Sequence, residues 1–250
     1  MRVIPVIDIM QGKVVHAIKG YREEYRPLKS QILETQDPIE VALELKRRFG
    51  FDELYVADLD GIMKNEVNLS VLCNICKTGY LKVMVDAGVT NPVKAQALLS
   101  VGVAGIVVGT ETLEHLEDLS RIVKLPGNIP IIGSIDVKDG KVLSKCKELS
   151  GVSPPEVAKL LKDCGVEQIV LLDISRVGSE SGVKIGVAQS ILNKVSLPLL
   201  VGGSVSSLKD IFALRGIGAS GVLVATVLHN TQFNKRDIDF VRNVKKNFSI

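Results

Sequence analysis

The sequence predicts an α/β barrel, a closed ring of eight strand–helix units, and three observations predict it. Short apolar runs alternate with amphipathic stretches along the whole 250-residue chain. There are eight such runs, each rich in Val, Ile and Leu without polar alternation, as strands buried on both faces of a parallel sheet require. The second half of the chain also repeats the first. A strand–helix unit repeated eight times in about 250 residues is the size of a (β/α)8 TIM barrel. A doubly wound open sheet is the competing class. It usually shows a glycine-rich nucleotide turn after its first strand, and IDIMQGK is not one.

The runs are VIPVI (3–7), ELYVA (53–57), KVMV (82–85), GIVV (105–108), IPIIGSI (129–135), QIVLL (168–172), PLLV (198–201) and GVLV (221–224). Helical spacing fills the gaps. Asp37 before Pro38 is an N-cap followed by proline at the first helical position, and PIEVALELKRRFG ends in basic residues and Gly50. NPVKAQALLSVG, SPPEVAKLLKDCG and SSLKDIFALRGIG follow the same grammar: a capping Asn or Ser, an apolar stripe, a terminal Gly. The repeat aligns IDIMQGKVV with IDVKDGKVL, so Asp8, Gly12 and Lys13 match Asp136, Gly140 and Lys141. It sets Asp58 against Asp173, Asp86 against Gly202, and Gly109 and Thr110 against Ala225 and Thr226. The offsets are 128, 115, 116 and 116 residues. A single domain built from two fused half-barrels, about 1–125 and 126–250, is expected.

Composition narrows the function. A net charge of +3 is too mild for a nucleic-acid scaffold or a membrane-surface protein. Aromatic residues are 4% with no Trp, which leaves little for base-stacking platforms. No apolar run approaches the roughly 18 residues of a membrane span. Asp8 interrupts the apolar start and no small-residue cleavage site follows, so no signal peptide and a cytoplasmic location are expected. Cys73 and Cys76 form a C-x-x-C inside a helical pattern, without a second pair or a nearby His. They read as packing residues with reduced thiols.

In a barrel of this kind the site lies at the C-terminal ends of the strands. Those positions hold Asp8, Asp58, Asp86, Gly109 with Thr110, Asp136, Asp173, Gly202 with Gly203 and Ser204, and Ala225 with Thr226. Asp8 and Asp136 are repeat-equivalent and should face each other across the mouth. Two carboxylates in a recess titrate apart, so one serves as base and the other as acid. Isomerising a sugar needs such a pair. A magnesium site is the rival use of clustered Asp, and the absence of His argues against zinc. Gly202, Gly203 and Ser204 precede a helix, where close backbone approach and free amides favour phosphate. Ala225 and Thr226 would complete that cradle. Its partner is weaker, because Asp86 puts a negative charge where a second phosphate would sit, although Gly109 and Thr110 remain usable. The loop KGYREEYRPLKS, with Arg22 among its four cations and with Tyr21 and Tyr25, reads as a lid over an anionic substrate. No Lys stands at a strand end for Schiff-base chemistry.

The motifs I-D-x3-G-K-V in both halves, D-L-D-G after the second strand and G-G-x-V-S-S-L-x-D-I after the seventh resemble the histidine-biosynthesis barrels. That family holds the phosphoribosylformimino-5-aminoimidazole carboxamide ribotide isomerase and its cyclase relative. The resemblance covers essentially the whole chain and is nearer the isomerase. It implies a cofactor-independent Amadori rearrangement of a phosphorylated aminosugar; no metal, nucleic-acid or membrane partner is expected. It implies Asp8 as base and Asp136 as acid. Gly202, Gly203 and Ala225 would form one phosphate site, and Gly109 and Thr110 the other. Asp58, Asp86, Asp173, Arg176 and Arg22 are further expected substrate contacts.

The chain is a divergent member. After the third strand the family's G-G-G-[IV]-R is Asp86, Ala87, Gly88, Val89 and Thr90. After the sixth, the Thr and the final Asp of T-D-I-D-R-D-G are Leu172 and Val177. His16 stands where the first loop carries Arg. The first loop is similar to a branch found in methanogens and methylotrophs. Two alternatives therefore stand beside the isomerase: a paralogue for a singly phosphorylated substrate, in one-carbon coenzyme metabolism, and a phosphate-metabolite binding protein without chemistry.

Overall fold

All eight apolar runs form strands, and the strands close into one ring. The computed structural model describes residues 1–179 and 182–244, so the end of the expected second half, 245–250, lies outside the described residues. The barrel strands are β1 (Arg2–Met10), β2 (Glu53–Asp58), β3 (Lys82–Asp86), β4 (Gly105–Gly109), β5 (Ile131–Lys138), β6 (Gln168–Asp173), β7 (Leu199–Gly202) and β8 (Gly221–Val224). Each pairs in parallel with the next. β8 then pairs with β1, Arg2 against Gly221 and Pro5 against Val224, so the ring has no open edge. The fold is a (β/α)8 barrel.

Helices α1 (Pro38–Phe49), α2 (Leu59–Lys64), α3 (Leu69–Lys77), α4 (Pro92–Ser100), α5 (Leu116–Val123), α6 (Pro154–Asp163), α7 (Ile185–Lys194), α8 (Leu208–Gly216), α9 (Thr226–His229) and α10 (Lys235–Asn243) surround it. Their ends follow local chemistry. Asp37 accepts from the amides of Ile39 and Glu40, and Gly50 closes α1 in the left-handed region. Ser207 and Asp210 form a capping box on α8. Among the described residues no helix is long and apolar enough to cross a membrane.

Two apolar layers hold the barrel. The inner one takes one side chain from every strand: Ile4, Tyr55, Met84, Val107, Ile132, Val170, Leu200 and Leu223. The outer one packs the opposite strand faces against the helices, as with Val3, Ile7 and Ile9 on β1. Side chains alternate along a strand, so the inner layer fixes the parity of everything above it. Two residues beyond Met84 stands Asp86. Four beyond Ile4 and Ile132 stand Asp8 and Asp136. These three carboxylates point into the mouth. Asp58 and Asp173 have the opposite parity and leave the barrel axis.

The two I-D-x3-G-K-V motifs make the same local structure. Gln11 and Gly12 have φ of 53° and 72°, and Asp139 and Gly140 have 51° and 82°. Positive φ at both central residues makes a tight hairpin turn, pairing Met10 with Lys13 and Lys138 with Lys141. After the first hairpin the chain returns through Arg26 and Pro27, which pair with His16 and Val15. This excursion lies over the mouth. Tyr25 and Leu28 bury against it.

Candidate active site

The mouth is a recess whose walls are mostly apolar and whose charged groups are few. Val6, Ala57, Leu172, Val177 and Leu223 line it together with Asp8, Asp86, Asp136, Glu111 and Arg22. Burial in this setting pushes Asp8 up to about 7, with Arg22 pulling it back. Asp86 also rises to about 7, first by burial and then by the neighbouring Asp136 carboxylate. Asp136 rises to about 6 by burial. Its carboxyl is held lower by the Glu111 amide at 3.3 Å and the Ser134 hydroxyl at 3.0 Å. Carboxylates near neutrality in a cleft are the raw material of acid–base chemistry.

The first loop is tied across the mouth by charge. Arg22 donates to Glu111 at 2.6 Å across the mouth. Lys19 donates its amide to the Val177 carbonyl at 2.7 Å, joining the first loop to the loop after β6. Gly178 permits that contact. Its φ is +69°, and a Cβ there would run into the Ala17 carbonyl.

At the β7–β8 end the walls are backbone and small side chains. Gly203, Ser204, Ala225 and Thr226 line the recess. Gly203 has φ of +113°, and a Cβ would stand 2.6 Å from the Asp173 carbonyl. The Ser204 hydroxyl turns away and donates to the Gly182 carbonyl. Gly202 lies one step deeper, where a Cβ would strike Leu172.

At the β3–β5 end two candidate phosphate partners are engaged by Asp86 and Asp136. The Gly88 amide donates to Asp86 Oδ1 at 3.1 Å. The Thr110 hydroxyl is buried and accepts from the Asp136 amide at 3.1 Å. Gly109 sits beneath the carboxylates: a Cβ on it would be 3.1 Å from Asp136 Oδ2 and 3.5 Å from Asp86 Oδ2.

Of the expected contacts, Asp8, Asp86, Asp136, Arg22, Gly203, Ser204, Ala225 and Thr226 come together around one recess. Gly109, Thr110 and Gly202 do not line it: Thr110 is fully buried, Gly109 packs behind the Asp86 and Asp136 carboxylates, and Gly202 packs against Leu172. Asp58 does not face it. Both its oxygens accept from Asn68, at 2.7 Å each, and Gly61 donates at 3.2 Å, so it caps α2. Asp173 accepts from Ser175 at 2.6 Å, and Arg176 donates to the Gly182 carbonyl. Both belong to the framework of the β6 loop. Sequence reasoning passed over Tyr55 and Glu111. Tyr55 donates to Asp86 at 3.5 Å, and a polar-tipped ring inside a strand run was its one signal.

The profile of the histidine biosynthesis protein family matches residues 2–234. The chain belongs to this family. A protein of Methanocaldococcus jannaschii, described as uncharacterised, is 32% identical over 240 residues, covering 95% of this chain and 97% of its own. The 1-(5-phosphoribosyl)-5-((5-phosphoribosylamino)methylideneamino) imidazole-4-carboxamide isomerase of Methanosarcina barkeri is 30% identical over 236 residues, covering 92% and 94%. The enzyme of the same name from Bacillus cereus is 30% identical over 240 residues, covering 95% and 97%. In this histidine biosynthesis barrel Leu172 and Val177 make part of the recess wall apolar. Burial within such walls is the largest cause of the raised carboxyls.

Proposed function

We propose that the chain is a cofactor-independent aldose–ketose isomerase of a phosphorylated aminosugar, with Asp8 and Asp136 as its acid–base pair. The supporting observation is the pair itself. Both carboxylates point inward from β1 and β5, four strands apart in a ring of eight. Burial lifts both into the range where one holds a proton and the other does not. Likeness to isomerases named for a phosphoribosyl compound supports the substrate class.

In the reaction the acid protonates the ring oxygen as the C1–O bond opens to an iminium. The base then removes the C2 proton to give the enaminol. The 2-hydroxyl loses its proton and C1 gains one, leaving the aminoketose. No electron acceptor is required. The resemblance makes Asp8 the base and Asp136 the acid, and burial raises both toward neutrality so that the pair can share one proton. The backbone around Gly203, Ala225 and Thr226 holds the phosphate.

The test is to incubate the protein with the aminoaldose ribotide of the isomerase relatives and with an N-substituted ribosylamine 5-phosphate. Aminoketose should form from at least one and fall about 1000-fold in Asp8→Asn and in Asp136→Asn. No ketose from either compound, with the protein folded, overturns the proposal. Thermal stabilisation by the same compounds without turnover would put a binding protein in its place.

A further inference from the structure

The recess has two ends of opposite character. Around it stand four carboxyl groups, Asp8, Asp86, Asp136 and Glu111, against a single cation among the described residues, Arg22. Arg22 is already committed to Glu111. The excess negative charge gathers at the β3–β5 end, where Asp86 Oδ2 and Asp136 Oδ2 converge above Gly109. Asp86 is 7% exposed and Asp136 3%. The groups a second phosphate would need there are occupied. Gly88 gives its amide to Asp86, and the Thr110 hydroxyl is tied to Asp136. A dianion placed there would meet two carboxylates, with the Gly88 amide and the Thr110 hydroxyl already engaged, in a setting where water screens little. A protonated amine would meet two acceptors and a missing counter-charge.

We infer that Asp86 determines specificity: the substrate carries its phosphate at the β7–β8 end and a cationic amine, not a second phosphate, at the β3–β5 end. This inference rests on the proposed phosphate cradle at Gly203, Ala225 and Thr226. Asp86 is a positioning residue for the amine, and the proton transfers stay with Asp8 and Asp136.

Three compounds that differ only at C1 test it: 1-amino-1-deoxyribulose 5-phosphate, ribulose 5-phosphate and ribulose 1,5-bisphosphate. Calorimetry at pH 7.5 should rank them amine, hydroxyl, phosphate, each step at least ten-fold in Kd. Asp86→Asn keeps the shape of the side chain and should shrink the amine-over-hydroxyl ratio below three-fold. Asp86→Gly should improve the bisphosphate at least ten-fold. Thr226→Asp, which makes the opposite end acidic, should weaken all three alike. Equal binding of amine and hydroxyl compounds, or a ratio unmoved in Asp86→Asn, overturns the inference. If Thr226→Asp still weakens all three in that case, the phosphate cradle stands and only the amine subsite falls. Three compounds that fail to bind, or that are indifferent to Thr226→Asp, overturn the cradle and the inference together.

Discussion

The β7–β8 end of the mouth and the β3–β5 end use the same strand geometry and reach opposite electrical results. On β7 the inward position above Leu200 is Gly202, and the chain after it exposes backbone to the recess. On β3 the inward position above Met84 is Asp86, and its carboxylate consumes the next free amide. After β8, Thr226 lines the recess. After β4, Thr110 is buried and serves Asp136. A single inward residue thus decides whether a strand end presents a carboxylate or small uncharged residues to the recess. The barrel supplies parity, and the side chain supplies the sign of the charge.

The proposed acid–base pair spans these two ends, so its removal is the largest expected effect. Replacing either Asp8 or Asp136 by Asn should cost about 1000-fold in kcat, close to 4 kcal/mol. Wild-type rate against pH should be a bell centred near 6.5. Below about 6 both carboxyls hold protons and no base remains, and above about 7 both are ionised and no acid remains. A flat profile across pH 5–8 would break the assignment.

Gly203→Ala attacks the donor end alone. The new Cβ would meet the Asp173 carbonyl at 2.6 Å with φ held at +113°. The expected loss is about 2–4 kcal/mol of stability, read as a lower midpoint in urea. By the repeat the equivalent residue on the acidic side is Ala87, which is fully buried without strain at its Cβ. An unchanged urea midpoint would show that the two ends have equally tolerant backbones.

Arg22→Gln works on the acidic end from above. Arg22 lowers the pKa of Asp8, Asp86 and Asp136. Without it all three rise further and the rate bell moves to higher pH. The lid also loses its 2.6 Å tether to Glu111, so KM should rise. A bell that stays in place while KM rises would leave Arg22 as a latch only.

Much of this was legible in the sequence, and the failures have one cause. Eight apolar runs and four helices are local patterns, and all form as expected, although Ser153 makes no side-chain cap bond on α6; the two repeat motifs turn out to be hairpins. Five strand-end aspartates were equally visible, but only three face the recess. Parallel strands are apolar on both faces, so a run such as ELYVA hides which residues point inward. Only the inner layer, formed by contacts among all eight strands, shows that Tyr55 is inside and Asp58 outside. Glu111 was invisible for a related reason, since its partner Arg22 is 89 residues away. The G-G-S motif does bring Gly203 and Ser204 to the recess, but the Ser204 hydroxyl is spent on Gly182.

Asp86→Asn gives the smallest effect and the most direct reading of the acidic end. The folded protein holds the Asp86 proton up to about pH 7, whereas an unburied Asp releases it near 3.8. A folded-state pKa above the unfolded one means that stability is full below about pH 4 and lost as pH rises toward 7. Above 7 the buried carboxylate is ionised and its cost is complete. Asn carries no charge at any of these values and escapes that cost. The variant should therefore match the wild type at pH 4.5 and melt a few °C higher at pH 8. A gain equal at both values would trace to packing instead of charge. A loss at pH 8 would mean that the ionised carboxylate is already matched by donors, and the contrast between the two ends of the mouth would disappear.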